Sequence, residues 1–123
     1  MNLRESGEMY LENIYVLINK IGSVRAIDLG EYMGYSKPSV SRALSLLKQG
    51  NYITVSKEGF IALTEEGEKI AKNIFDRHTI LNEFLISIGV SEKQAADDAC
   101  KLEHDLSEET FNALKNYLIA TKK

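Results

Sequence analysis

The stretch Gly34-Tyr35-Ser36-Lys37-Pro38-Ser39-Val40-Ser41-Arg42-Ala43-Leu44 decides the fold of this 123-residue chain. Ser36 suits the N-cap of a helix, and Pro38 falls in its first turn, where a missing N–H costs little. Val40, Ala43, Leu44 and Leu47 give that helix one apolar side, and Gly50 stops it. Just upstream, a short helix over about Arg25 to Met33 ends at Gly34, so Gly34-Tyr35 is a tight turn between two helices. Just downstream lie two β-rich runs, Tyr52-Ile53-Thr54-Val55 and Phe60-Ile61-Ala62-Leu63. Ser56-Lys57-Glu58-Gly59 between them suits a hairpin loop. Helix, turn, helix and hairpin in this order predict a winged helix-turn-helix, whose second helix enters the DNA major groove.

Outward from this unit, the remaining chain reads as helical. A first helix begins near Ser6, carries the stripe Tyr10, Ile14, Leu17, Ile21, and stops at Gly22. Thr64, followed by Glu65 and Glu66, opens a long fourth helix with the stripe Ile70, Ile74, His78, Leu81, Leu85, Ile88, ending at Gly89. Ser91 with Gln94 predicts a capping box on a fifth helix. Ser107 caps a sixth, with Leu106 and Phe111 spaced as a hydrophobic staple. The fold class is mainly α: residues 1–63 form a winged helix-turn-helix with a two-stranded wing, and residues 64–123 a helical domain.

Composition narrows the classes. The chain is 44% apolar and 27% charged, which is ordinary for a globular protein and too apolar for a disordered one. One cysteine excludes an internal disulfide and a four-cysteine zinc site, and fits a reducing, cytoplasmic setting. No apolar run approaches the ~18 residues of a membrane span. Met1-Asn2-Leu3-Arg4-Glu5-Ser6 lacks the basic-then-apolar layout of a signal peptide. The net charge of −3 argues against nucleic acid until it is resolved along the chain. Residues 23–57 hold Arg25, Lys37, Arg42, Lys48 and Lys57 against only Asp28 and Glu31, whereas the segment after them is strongly acidic. A basic reading head therefore sits inside an acidic protein. Its candidate DNA-facing residues are Arg25, Ser36, Lys37, Pro38, Ser39, Ser41, Arg42, Lys48 and Lys57. Hydroxyls and N–H groups near a helix start suit phosphates, Arg42 can reach a guanine edge, and Lys48 and Lys57 can reach flanking phosphates. Helix-turn-helix folds also serve as protein-interaction modules; the segregated charge and the wing favour DNA.

A second constellation carries metal-ligand chemistry. Cys100, Glu103 and His104 stand at i, i+3 and i+4 on the fifth helix, so thiol, carboxylate and imidazole share one face near its C-terminal end, where the dipole favours a cation. Met9 and Glu12 stand at i and i+3 on the first helix, and His78 interrupts the apolar stripe of the fourth. Each has a plainer reading alone: a hydrogen-bonded core histidine, a packed methionine, a small buried thiol, solvated glutamates. Six such side chains on three helices, at spacings that let them converge, favour a shared ion.

Three stretches carry a family resemblance: Ser6-Gly7-Glu8-Met9-Tyr10-Leu11-Glu12-Asn13-Ile14-Tyr15, Ser36-Lys37-Pro38-Ser39-Val40-Ser41, and Asp98-Ala99-Cys100-Lys101-Leu102-Glu103-His104. Together, and over essentially the whole chain, they resemble the diphtheria toxin repressor/manganese transport regulator family. The resemblance implies a homodimeric, metal-activated repressor of metal-homeostasis genes that binds a palindromic operator in double-stranded DNA; no membrane is expected as a partner, and no other protein partner is implied. By the same resemblance, Met9, Cys100, Glu103 and His104 fall where the iron-responsive branch places its activating ligands. Glu12 falls on a carboxylate ligand of the manganese-responsive branch, and His78 on a histidine used by both. Asn82 and Ala96 stand where the iron branch has carboxylate and histidine ligands of an ancillary site, which this chain does not reproduce. An end at Lys123 leaves no room for the SH3-like third domain of the iron branch. Sulfur donors pull toward Fe(II), Co(II), Ni(II) or Zn(II) and the second carboxylate toward Mn(II); Fe(II) is favoured, then Mn(II). The rival readings are a winged-helix regulator sensing a small organic ligand or redox state through Cys100, and a metalloenzyme. The second lacks a nucleophile–base pair, an H-E-x-x-H spacing and a Gly-rich phosphate cradle, so no enzyme is expected.

Overall fold

The computed structural model describes residues 5–121; Met1 to Arg4, most of the stretch read for a leader, and the last two lysines lie outside the described residues. The element order is α1 (Glu5–Ile21), α2 (Ala26–Met33), α3 (Lys37–Gln49), β1 (Ile53–Val55), β2 (Ile61–Leu63), α4 (Glu65–Ser87), α5 (Glu92–Leu102) and α6 (Glu108–Thr121). Two compact units divide this chain, one up to Lys72 and one from Asn73.

In the first unit, local sequence sets each boundary of the helix-turn-helix. Asp28 accepts the Arg25 N–H at 2.9 Å and so caps the start of α2. At the other end Gly34 adopts φ +73°, a left-handed conformation that lets its N–H and that of Tyr35 both reach the Gly30 carbonyl. Ser36 then caps α3, its hydroxyl oxygen accepting from the Ser39 N–H at 3.4 Å. Val40, Leu44 and Leu47 of α3 are buried with Leu11, Ile14 and Leu17 of α1 and Leu29 of α2 in one apolar cluster. Each fully buried side chain of this size contributes roughly 1.5–3 kcal/mol.

The wing closes the same core. β1 and β2 pair antiparallel with Ile53 opposite Leu63 and Val55 opposite Ile61. Ile53 and Ile61 are buried in the cluster. The Ile61 N–H donates to the Val24 carbonyl at 2.8 Å, anchoring the wing to the α1–α2 connection. Each strand starts one residue later than the sequence suggests, because the Tyr52 N–H goes to the Leu47 carbonyl and the Phe60 N–H to the Ser56 hydroxyl rather than into the ladder. Thr64 fixes the wing's root: its hydroxyl faces the Asn51 and Tyr52 carbonyls at 2.8 and 3.0 Å and accepts from the Gly67 N–H at 3.1 Å. Gly67 must be glycine here, since a Cβ would collide with the Tyr52 carbonyl.

The second unit holds Ile74, Leu81, Ala95, Ala99, Phe111 and Leu118 as its buried apolar residues, together with Arg77 and Glu103. Three expectations need correction. Ile21 and Ile88 are 53% and 61% exposed, since each lies at or past a helix end where no neighbour covers the stripe. The Ser91 cap forms, but Gln94 does not close the box; its amide donates to Asp98 one turn on, at 3.0 Å. The fifth helix ends at Leu102, so Glu103 is its C-cap and His104 lies in the turn beyond it.

Candidate metal centre and nucleic-acid interface

Glu103 is the centre of the second unit's polar chemistry. It is 1% exposed, and an unpaired carboxylate so placed costs several kcal/mol. Two imidazoles flank it instead: His78 Nδ1 lies 2.9 Å from one carboxylate oxygen and His104 Nε2 3.3 Å from the other. The Cys100 thiol joins them, because Sγ, a His78 ring nitrogen and a Glu103 oxygen all lie within 4.8 Å of one another. Nitrogen, sulfur and oxygen donors on one ion at ~2.0–2.3 Å stand roughly 3.5 Å apart, so this group fits a single divalent ion. The αR conformation of Glu103 continues the helical path by one residue, which keeps Cys100 and Glu103 on one face although the helix has ended.

The donors come from different elements for local reasons. His78 is half-buried on the inward stripe of α4, flanked by Ile74 and Leu81. Cys100 is exposed, a thiol open to an incoming ion. Arg77, which the sequence reading passed over, is 7% exposed and donates to the Glu103 carbonyl at 2.9 Å, the Leu106 carbonyl at 2.8 Å and the Glu108 carboxylate at 3.1 Å. Its signal was present in the sequence: it stands three residues after Ile74 and four before Leu81, on the buried face of α4.

Met9 and Glu12 belong to the first unit, both partly buried and one helical turn apart on α1. The Tyr35 hydroxyl donates to Met9 Sδ at 3.6 Å, and the Tyr35 ring meets Tyr10 edge-on with centroids 5.8 Å apart. Burial, with Tyr35 beside it, pushes the Tyr10 phenol above the ordinary tyrosine value.

All nine candidate DNA-facing residues, Arg25, Ser36, Lys37, Pro38, Ser39, Ser41, Arg42, Lys48 and Lys57, are exposed. The Ser36 hydroxyl is committed to the cap and donates to Ser39 Oγ at 3.0 Å, which leaves the Ser39 proton for an outside acceptor. The Arg25 guanidinium stacks over Phe60 with 4.5 Å to the ring centroid, an aromatic platform that no periodicity in the sequence marks.

Two family models match the chain in succession. The N-terminal DNA-binding domain of iron-dependent repressors matches residues 2–60, and their metal-binding and dimerisation domain residues 64–122. The chain is 38% identical over 112 residues to the transcriptional regulator MntR of Escherichia coli O6:H1, covering 91% of this chain and 72% of that protein. It is 33% identical over 118 residues to the HTH-type transcriptional regulator MJ0568 of Methanocaldococcus jannaschii, covering 94% of each. Among solved structures, the metal-dependent transcriptional regulator MtsR aligns with a TM-score of 0.84 at 25% identity over 91% of this chain. The manganese regulator SloR aligns with a TM-score of 0.81 at 24% identity over 96% of it. This chain spans about half the length of those two structures, 53% and 54% respectively.

Proposed function

The chain belongs to the iron-dependent repressor family, and from that premise we propose that it is a metal-activated repressor of metal-homeostasis genes, binding a palindromic operator in double-stranded DNA as a homodimer. The observation that carries the proposal is the buried Glu103 carboxylate between two imidazoles and beside a thiol. The proposed ligands are His78, Cys100, Glu103 and His104, joined by Met9 and Glu12 of α1. When bound, the divalent ion supplies a double positive charge and directed bonds where the His78–Glu103 pair has only a hydrogen bond. Glu103 gives the site its buried negative charge, and Arg77 holds its backbone. Cys100 and the Met9 thioether are soft donors that favour Fe(II), with Mn(II) next through the Glu12 carboxylate.

Ligands drawn from α1 as well as from α4 and the end of α5 couple metal occupancy to the DNA-reading head. Residues 1–63 read DNA and residues 64–123 sense metal and dimerise. Arg42 meets a base edge, the Ser39 and Ser41 hydroxyls meet phosphates, and Lys48 and Lys57 hold the flanking backbone. Two-fold symmetry in the dimer matches two half-sites of the operator. A repressor of this kind works in the cytoplasm on its own genome, and its donors sense rather than catalyse. The test is anaerobic fluorescence anisotropy with a fragment of its own promoter, in Fe(II), Mn(II), Zn(II) and no metal. Tight, salt-sensitive binding in Fe(II) or Mn(II) and weak binding without metal is expected; equal binding in all four contradicts the reading.

A further inference from the structure

We propose that Arg77 is a positioning residue of the metal centre: it fixes the backbone of Glu103, and thereby the geometry in which that carboxylate meets an ion. The proposal rests on the reading of Glu103 as a ligand. An α-helix leaves its last carbonyls without intrahelical donors, and Glu103 caps α5 at that point. Arg77 supplies what the helix cannot. One guanidinium nitrogen donates to the Glu103 carbonyl at 2.9 Å and to the Leu106 carbonyl at 2.8 Å. The other pairs with the exposed Glu108 carboxylate at 3.1 Å. The guanidinium also stacks on Phe111, 5.0 Å from the ring centroid.

His78 follows Arg77 in the chain and reaches the same residue from the other side, its Nδ1 2.9 Å from the Glu103 carboxylate. One dipeptide of α4 therefore grips Glu103 twice, by main chain and by side chain. A guanidinium suits the main-chain task because its planar fork aims two donors from one nitrogen at two carbonyls while a second nitrogen serves Glu108. A lysine ammonium is a compact charge on a flexible stem and cannot hold all three acceptors in that geometry.

The experiment compares R77K and R77Q with wild type, E103A and E108Q, using Co(II) alone as the probe. Far-UV circular dichroism reports folding, titration reports affinity, and the visible d–d bands report coordination geometry. We expect at least one Arg77 variant to keep the wild-type helical signal while losing roughly ten- to a hundred-fold in Co(II) affinity, with altered d–d bands. E108Q, which touches only the exposed end of the clamp, stays within about two-fold of wild type. A folded Arg77 variant with wild-type affinity and bands overturns the proposal, as does failure of both variants to fold, which makes Arg77 a residue of the fold alone. E103A separates the underlying reading: wild-type Co(II) binding in E103A removes Glu103 from the ligand set, and the proposal with it.

Discussion

Up to Lys72 the buried side chains run from Tyr10 and Leu11 to Ala71 and include no charged residue among those described; from Asn73 onward Arg77 and Glu103 are buried alongside Ile74, Leu81, Phe111 and Leu118. The first interior is complete in itself, since apolar burial needs no partner from outside. The second encloses a carboxylate with an imidazole on either side, the donor set proposed above for a divalent ion. A reading head has to keep its shape, and a sensor has to gain stability when its ligand arrives. On the proposed reading, the first unit meets the one demand and the second the other.

The largest expected effect lies in the apolar interior. Leu11→Ala, at a side chain with 0% exposure, costs about 2–5 kcal/mol in chemical denaturation; a loss under 1 kcal/mol breaks the contrast at its stronger end. Next comes the metal itself: Fe(II) at a hundred-fold excess over its dissociation constant adds about 2.7 kcal/mol to the unfolding free energy. Cys100→Ser shrinks that gain more for Fe(II) than for Mn(II), because it exchanges a soft donor for a hard one. Equal shrinkage for both ions takes Cys100 out of the choice of metal. Ser36→Ala, which removes the cap of α3, costs about 1 kcal/mol. It also weakens promoter binding by disordering the first turn that carries Lys37 and Ser39.

The smallest effect is a pH response of the first unit. Tyr10 keeps its proton more tightly folded than unfolded, so the unfolded chain ionises first as pH rises. The stability linked to Tyr10 is whole below the ordinary tyrosine value of 10.0 and is lost as pH climbs through it toward the raised folded value. A thermal melt series from pH 8 to 11 should fall less steeply in Tyr10→Phe than in wild type; parallel curves would place the alkaline loss elsewhere.

What could be read before any coordinates followed from how local each signal is. The Ser36 cap, Pro38, the Gly34 stop and the hairpin loop depend on a few adjacent residues, and they predict α2, α3 and the wing nearly to the residue. Ile21 and Ile88 keep the helical period but reach the ends of their helices, where periodicity continues and the neighbouring core does not. Gln94 had the Ser91 N–H behind it and the Asp98 carboxylate ahead of it within one turn, and spacing alone could not tell that its side chain would turn to Asp98. Cys100 and Glu103 were legible as one face, and His78 as an anomaly in a stripe; their meeting is tertiary. Arg77 was passed over although it stands on the buried face of α4, because its partners are main-chain carbonyls some 25 to 30 residues away, which no spacing within one helix encodes. Met9 and Glu12 stand one turn apart on α1, as their spacing predicts.

Whether Glu103 holds the metal is decided by anaerobic isothermal titration of Fe(II) and of Mn(II) into wild-type protein and into Glu103→Ala. Saturable heat is expected in the wild type and none in the variant at the same concentrations. A variant that takes up either ion with wild-type affinity would contradict this expectation, because the buried carboxylate between His78 and His104 would then have no part in holding the metal.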